Sequence, residues 1–179
     1  MRILITLLAL AVTITTSAQQ KVNKKPALKK PVKQVQPLTV IRAVKMQDVV
    51  NLIDSSTTPL IVNFWATWCG PCVEEIPYFE KIVAEHAKDS IKLILVSLDF
   101  NYDYKTGQLD KFVARQKYAS EIIWLSENNA DTICPMIDKK WDGNIPASLM
   151  INNKKGYRMF YPNQLREARF RLEVEALVK

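Results

Sequence analysis

The most informative stretch of the sequence is Trp68-Cys69-Gly70-Pro71-Cys72. It follows an apolar run from Leu60 to Ala66, which is typical of a buried strand, and it precedes a segment of helical periodicity from Val73 to about Lys88. A Cys-x-x-Cys motif between a strand and a helix is typical of a redox site. Two cysteines three residues apart in the first turn of a helix face the same way, so we expect their sulfurs to form and break a disulfide.

The motif also predicts a role for each of its residues. Cys69 is expected to be the nucleophile, because the unpaired N–H groups and the positive end of the helix favour a thiolate and should lower the pKa of its thiol. Cys72, which is better covered, would then resolve the mixed disulfide. Gly70 leaves room for an incoming disulfide, and Pro71 has no N–H to leave unpaired and fixes φ for helix entry. Together with Trp68, which we expect beside the sulfur, they would form part of the substrate-binding surface.

The run from Val62 to Cys72, VNFWATWCGPC, resembles the active-site strand and loop of thioredoxin-fold thiol:disulfide oxidoreductases, specifically the exported TlpA/ResA-like branch. The resemblance extends more loosely from about Gln47 to the C-terminus. It implies an α/β, thioredoxin-like fold in which helices flank a central mixed sheet and the Cys-x-x-Cys lies at a helix N-terminus. It implies no cofactor, and the Gly-Pro pair between the cysteines, which thioredoxin shares, favours a reducing role.

Two further positions are interpreted through this resemblance. Thioredoxin has a buried, proton-shuttling aspartate where this chain has Asn63, and asparagine cannot titrate. The exported branch often carries a glutamate at the position of Glu75, one helical turn after Cys72 on the same face. The resemblance therefore implies that Glu75 accepts or donates a proton to assist Cys72.

A proline near the end of the chain is predicted to complete the site. The segment Gly143-Asn144-Ile145-Pro146 leads into a predicted strand from Ser148 to Asn152. In the thioredoxin fold a cis-proline at this place stands beside the disulfide, so the resemblance implies that Pro146 is cis and that Ile145 and Pro146 hold the substrate chain. The alternative is an ordinary trans proline that begins a strand.

The chain divides into three parts. Residues 1–18 are predicted to be a secretory signal, with Arg2 at its positive end, a predominantly apolar stretch of twelve residues from Ile3 to Ile14, and cleavage after Ala18. As a helix those twelve residues would span roughly 18 Å, which is less than the ~30 Å of a hydrocarbon core, so an uncleaved anchor is the less favoured alternative. Residues 19–37 are predicted to be a Lys/Pro-rich disordered tether, and residues 38–179 a single thioredoxin-like domain.

The charge distribution limits the partners. The chain has a formal net charge of +7, and the seven basic residues before Gln34 account for all of it. The rest of the chain contains 18 basic and 18 acidic residues. The domain is formally neutral, so we expect no nucleic-acid partner and at most a weak attraction of the tether to membrane surfaces. No integral membrane segment is expected in the mature chain.

The remaining elements are predicted from periodicity and strand order. A possible edge strand at 38–44 and a helix at 46–54 precede the active-site strand, and a second apolar strand at 91–98 should run parallel to it. A loop with three aromatic residues at 99–105, a helix at 108–117, a strand at 121–126 and a short helix from Asp131 follow. The chain should end with an antiparallel strand at 157–161 and a helix at 165–178. Leu165, Ala168, Leu172 and Ala176 are predicted to face the sheet, with Val174 as a further candidate.

The cysteines also have alternative interpretations. If the two cysteines were half of a zinc site, the site would need two more ligands, and a copper site would need further soft ligands. Besides Cys69 and Cys72, the chain offers only Cys134 and its single histidine, His86, so no metal is predicted. Cys134 has apolar neighbours in sequence, which favours a buried structural thiol over a regulatory one. A peroxidase would need a Pro-x-x-x-Thr-x-x-Cys pattern, which the sequence lacks.

The sequence thus predicts an exported, periplasmic thiol:disulfide oxidoreductase, and a disulfide reductase is the favoured interpretation. Its partners would be protein disulfide or dithiol substrates and an upstream thiol that donates electrons. A redox-inactive or regulatory binding module with the same fold is the alternative, because the sequence shows no substrate.

Overall fold

The structure is a computed structural model that describes residues 41–179. The predicted signal sequence, the predicted tether and the first residues of the predicted edge strand lie outside the described residues. They remain sequence predictions.

A six-stranded mixed sheet forms the centre of the described domain, in the order β1-β4-β3-β2-β5-β6. Strands β1, β4, β3 and β2 are parallel, whereas β5 and β6 run antiparallel to their neighbours. The strands are β1 (Arg42–Val44), β2 (Leu60–Trp65), β3 (Lys92–Ser97), β4 (Glu121–Leu125), β5 (Ala147–Asn152) and β6 (Tyr157–Tyr161). The predicted parallel pair and the antiparallel hairpin at the end of the chain are both confirmed.

Residues 41–179 also form six α-helices, five between strands and one after the last strand. They are α1 (Met46–Asp54), α2 (Gly70–Glu85), α3 (Asn101–Lys105), α4 (Gln108–Gln116), α5 (Ala130–Ile137) and α6 (Glu167–Val178). A short 3₁₀ turn, Ala87–Asp89, follows α2, and another, Asn153–Lys155, joins β5 to β6. Among residues 41–179, no helix combines the length and the apolar character needed to cross a membrane.

The central strand β2 is buried on both faces, which explains its nearly continuous apolar sequence. Because successive side chains of a strand point to opposite faces, Ile61 and Trp65 pack with α2 and α6, whereas Val62 and Phe64 pack with α1 and α5. Asn63 points to the same face as Ile61. This alternation directs a polar amide towards the helix that carries the two active-site cysteines.

Two predictions about the periphery are wrong. The segment 99–105 contains the helix α3 and is not a loop throughout. In the last helix the prediction is wrong for Leu172, which is 60% exposed, and for Ala168, which is exposed, whereas Leu165 and Val174 are buried as predicted. The buried residues of α6 itself are Phe170, Glu173, Val174 and Leu177. Phe170 sets this face, because its ring stacks on Phe79 of α2 with the centroids 3.6 Å apart, and an aromatic ring buries more apolar surface than the alanines chosen from periodicity.

Candidate active site

The two cysteines of the motif lie at the N-terminus of α2, directly after the loop that follows β2. Cys69 is the N-cap residue and Cys72 is in the first turn, and they form a disulfide with their Cα atoms 5.3 Å apart. The Cys72 N–H donates to Cys69 Sγ at 3.3 Å. A backbone donor and the positive end of a sixteen-residue helix both face Cys69 Sγ, so they would stabilise negative charge on this sulfur after reduction.

Access to the pair is unequal. Cys69 is 6% exposed and Cys72 is completely buried, which agrees with the predicted roles of attacking and resolving thiol. Gly70 and Pro71, the first two residues of α2, are both exposed, and a side chain at Gly70 would meet no atom within 4 Å. Trp68 is 56% exposed. The surface around Cys69 is therefore open to an incoming chain.

Pro146 lies next to the end of the active-site strand. The Ile145–Pro146 peptide bond is cis, as predicted. Ala147 pairs with Phe64 in the antiparallel ladder between β5 and β2, so Pro146 is adjacent to the last residue of β2. Among residues 41–179, no hydrogen bond reaches the backbone N–H or C=O of Ile145. That backbone is thus free to pair with another extended chain.

Glu75 is a buried carboxyl group on α2, one turn after Cys72. Its side chain is 1% exposed, and its two oxygens accept hydrogen bonds from Asn63 Nδ2 at 2.8 Å and from the backbone N–H of Leu165 at 3.1 Å. Burial raises the pKa of Glu75 from 4.5 to about 7, although both hydrogen bonds favour the ionised form and oppose the rise. A carboxyl with this pKa can accept or release a proton near neutral pH.

Asn63 connects this carboxyl to the sheet. Its Nδ2 atom donates both to Glu75 and to Ser148 Oγ on β5, the latter at 3.0 Å, and both polar side chains are buried. Sequence reasoning identified Asn63 only as a departure from thioredoxin and missed its contact with Glu75. The sequence signal was a single amide in an otherwise apolar strand, because a buried amide needs hydrogen-bond partners.

Asp99 is a second residue that sequence reasoning missed. It is 3% exposed and follows β3, and its carboxylate accepts hydrogen bonds from the backbone N–H and the hydroxyl of Thr67 and from Ser97 Oγ. Its backbone C=O accepts a hydrogen bond from Trp124 Nε1 at 2.7 Å. These contacts fix the loop that precedes Cys69. The signal was an acidic residue at the carboxyl end of a buried parallel strand.

The remaining cysteine and the histidine do not belong to the disulfide pair. Cys134 on α5 is 2% exposed, and burial raises the pKa of its thiol to about 11, with Asp142 and Asp131 adding to the rise. This location agrees with a structural thiol. His86 follows α2 at its far end, where its Nδ1 is 3.0 Å from the carboxylate of Asp89.

Comparisons with known proteins place the chain in a family. Residues 32–156 match the profile of the AhpC/TSA family. The thiol-disulfide oxidoreductase ResA of Oceanobacillus iheyensis is 42% identical over 53 residues, which cover 30% of this chain and only 28% of that relative. The sporulation thiol-disulfide oxidoreductase A of Bacillus subtilis is 27% identical over 137 residues, which cover 76% of this chain and 73% of that relative.

The solved structures agree on the fold. The crystal structure of a thioredoxin-related protein from Neisseria meningitidis serogroup B superposes with a TM-score of 0.57 at 24% sequence identity, and covers 70% of this chain and 89% of that one. This likeness, together with the mixed sheet and the Cys-x-x-Cys at the start of α2, confirms the predicted thioredoxin-like fold. Because the family profile spans more than half of the sequence, the chain belongs to the AhpC/TSA family of thioredoxin-fold proteins.

Proposed function

We propose that this protein is an exported thiol:disulfide oxidoreductase that reduces disulfides of protein substrates through Cys69 and Cys72. The observation that carries the proposal is the Cys69–Cys72 disulfide at the N-terminus of α2, together with the buried carboxyl group of Glu75 one turn further along this helix. The names of the ResA and sporulation relatives describe the same reaction class.

In the first step, the reduced protein attacks the substrate. The Cys69 thiolate forms a bond to one sulfur of the substrate disulfide, the substrate S–S bond breaks, and the other substrate sulfur leaves as a thiolate. The Cys72 N–H and the helix terminus support the attacking thiolate. Because Cys69 is the more exposed cysteine, the mixed disulfide forms there.

In the second step, Cys72 resolves the mixed disulfide. Glu75 accepts the proton of the Cys72 thiol, and the resulting thiolate attacks Cys69 Sγ and displaces the second substrate thiolate. The substrate gains two electrons, and the protein returns to the Cys69–Cys72 disulfide. An upstream dithiol donor must then reduce this disulfide before the next cycle.

The substrate chain is held beside the disulfide in this scheme. The free backbone groups of Ile145 would pair with an extended segment of the substrate, while Pro146, Gly70, Pro71 and the exposed Trp68 would border it. A reducing direction is favoured by the Gly-Pro pair between the cysteines. We therefore expect a reduction potential nearer to the roughly −270 mV of thioredoxin than to the roughly −120 mV of DsbA.

Export places this reaction outside the cytosol. In this scheme residues 1–18 are a cleaved signal, and residues 19–37 are a basic tether with at most a weak attraction to anionic surfaces. Sequencing of the protein purified from the periplasm should find Gln19 at its N-terminus. If the exported protein still began with Met1, the predicted cleavage after Ala18 would be wrong.

The central test is reduction of insulin disulfides by the domain with dithiothreitol as donor. Cys69→Ser should abolish catalysis, and full activity of this variant would refute the proposal. A Cys72→Ser, Cys134→Ser double variant retains Cys69 as its only thiol, since the chain has three cysteines. It should accumulate mixed disulfides with substrates, whereas a binding module that uses the fold only to hold partners would accumulate none.

A further inference from the structure

A cavity of about 400 Å³ adjoins the active site at the carboxyl ends of β3 and β4. Trp68 and Ile145, the residues that precede Cys69 and Pro146, both line it. The deeper wall is apolar and includes Trp124 of β4, Ile133 of α5 and Trp141. Its volume lies within the roughly 300–1,000 Å³ that is typical of ligand-binding pockets. A polypeptide bound at Ile145 would therefore pass the entrance of this cavity.

The entrance is bordered by two exposed aromatic rings. Trp68 and Phe100 stack with their centroids 5.8 Å apart, and they are 56% and 66% exposed. Stacked rings that remain exposed next to a cavity are typical of an interaction surface, because water is displaced from both the rings and the cavity when an apolar group binds. Tyr102 is equally exposed but does not line the cavity.

The cavity has an acidic wall. The charged side chains that line it are Asp99 and Glu127, and among the described residues neither forms a salt bridge with a basic side chain. Glu127 Oε2 accepts a hydrogen bond from the Met46 N–H, and Asp99 accepts from the Thr67 N–H; both donors are uncharged backbone groups. A cavity with walls of one sign attracts ligands of the opposite sign.

We propose that this cavity is a specificity pocket that binds a large apolar side chain next to the attacked cysteine of a polypeptide substrate, and that it favours substrates with an adjacent Lys or Arg. The inference rests on the proposed function and names the substrate class. Residues of an extended strand are about 3.3 Å apart and alternate in direction. A side chain one or two positions from the cysteine can therefore enter the cavity while the side chain next to it faces the acidic wall. Burial of the apolar group supplies affinity, and the charge supplies discrimination.

Three disulfide-linked peptides test the inference. Each has one disulfide to a quenched fluorophore, and they differ only in the residues before the cysteine: Lys-Phe, Lys-Ala and Glu-Phe. We expect kcat/KM to be about tenfold higher for Lys-Phe than for Lys-Ala, because burial of a phenyl group is worth at least one factor of ten. At low salt, kcat/KM should be severalfold higher for the Lys-Phe peptide than for the Glu-Phe peptide. This second ratio should approach one at roughly 1 M salt, where the Debye length is about 3 Å.

Matched variants locate the pocket on the protein. Phe100→Ser should reduce the ratio of Lys-Phe to Lys-Ala, and Glu127→Gln, which can still accept the Met46 hydrogen bond, should reduce the ratio of Lys-Phe to Glu-Phe. Tyr102→Ser removes an equally exposed aromatic ring two residues away and should change neither ratio. Ratios measured within one variant are independent of its overall activity.

The outcomes separate this inference from the proposed function. If the wild-type protein reduces all three peptides and oxidised glutathione at similar rates, the specificity pocket is refuted and the oxidoreductase function stands. If Tyr102→Ser lowers the ratios as much as Phe100→Ser, the recognition surface is not this cavity. If the protein reduces none of these disulfides, the proposed function fails and the inference fails with it.

Discussion

The buried carboxyl of Glu75 should make the stability of the protein depend on pH in an unusual direction. Most carboxyl groups stabilise a fold by being ionised, but burial raises the pKa of Glu75 from 4.5 to about 7. Between these two values the folded protein holds a proton that the unfolded chain has lost. The free energy of unfolding therefore falls as the pH rises through this range, and it levels off above about pH 7.

The size of the effect follows from the two pKa values. At about 1.4 kcal/mol for each pH unit, the contribution of Glu75 falls by about 3 kcal/mol between pH 4.5 and pH 7. Glu75 is only 1% exposed, so water does not screen the group directly. A loss of this size is a large fraction of the total stability of a typical domain, which is about 5–15 kcal/mol.

Urea denaturation of the oxidised domain at about pH 4 and about pH 8 measures this contribution. Glu75→Gln keeps the size of the side chain and removes the titration, so the stability of the wild type relative to this variant should fall by about 3 kcal/mol between the two pH values. Glu74→Gln is the matched control, because Glu74 precedes it on the exposed side of α2. Its curve should run parallel to the wild type.

Parallel curves for the wild type and Glu75→Gln would refute the reasoning, since they would mean that Glu75 has the same pKa in the folded and unfolded protein. A wild type that gains stability relative to Glu75→Gln as the pH rises would refute it as well. In that case the hydrogen bonds from Asn63 and Leu165 would outweigh the burial of the charge.

Three further predictions concern the neighbourhood of the site and the core. Asn63→Ala removes a hydrogen bond that lowers the pKa of Glu75, so the midpoint of the pH profile of the exchange rate should move above about pH 7; an unchanged or lower midpoint would contradict the contact. Asp99→Ala leaves the donors of the loop before Cys69 unpaired and should cost about 1–3 kcal/mol in urea denaturation, and a neutral result would show that this loop does not depend on the carboxylate. Phe79→Ala should lower the free energy of unfolding by about 3–5 kcal/mol, because the ring of Phe79 is completely buried. Leu172 is 60% exposed, so Leu172→Ala should change it by less than about 0.5 kcal/mol. Similar losses for the two variants would argue against the assigned buried face of α6.

Local patterns were sufficient for the main elements and for the reactive pair. The continuous apolar runs of β2 and β3 indicate central parallel strands, and Cys-Gly-Pro-Cys indicates a helix start, because these signals depend on residues close together in the chain. The prediction was less accurate at α6. There Ala168 and Leu172 fit an amphipathic helix as well as Phe170 does, and only the partner ring of Phe79 determines which face is buried.

The contacts around Glu75 and Asp99 could not be read from sequence. Asn63 lies 12 residues from Glu75, Ser148 lies 85 residues from Asn63, and Asp99 lies 32 residues from Thr67. The Asn63–Glu75 bond depends on how α2 packs on β2. The other two depend on the register of β2 with β5 and on the position where β3 ends. A pattern of single residues contains no information on that register.

The sequence by itself determined the chemistry of this protein: two thiols at a helix N-terminus, a glutamate one turn below them and a proline before a late strand. These features depend on residue identity and short spacing, which the chain carries directly. Only the tertiary structure decided how strongly that glutamate holds its proton, which residues hold the loop before Cys69, and that a cavity opens beside Trp68 and Ile145. Burial and long-range hydrogen bonds arise when distant segments pack together, and they exist only in the folded chain.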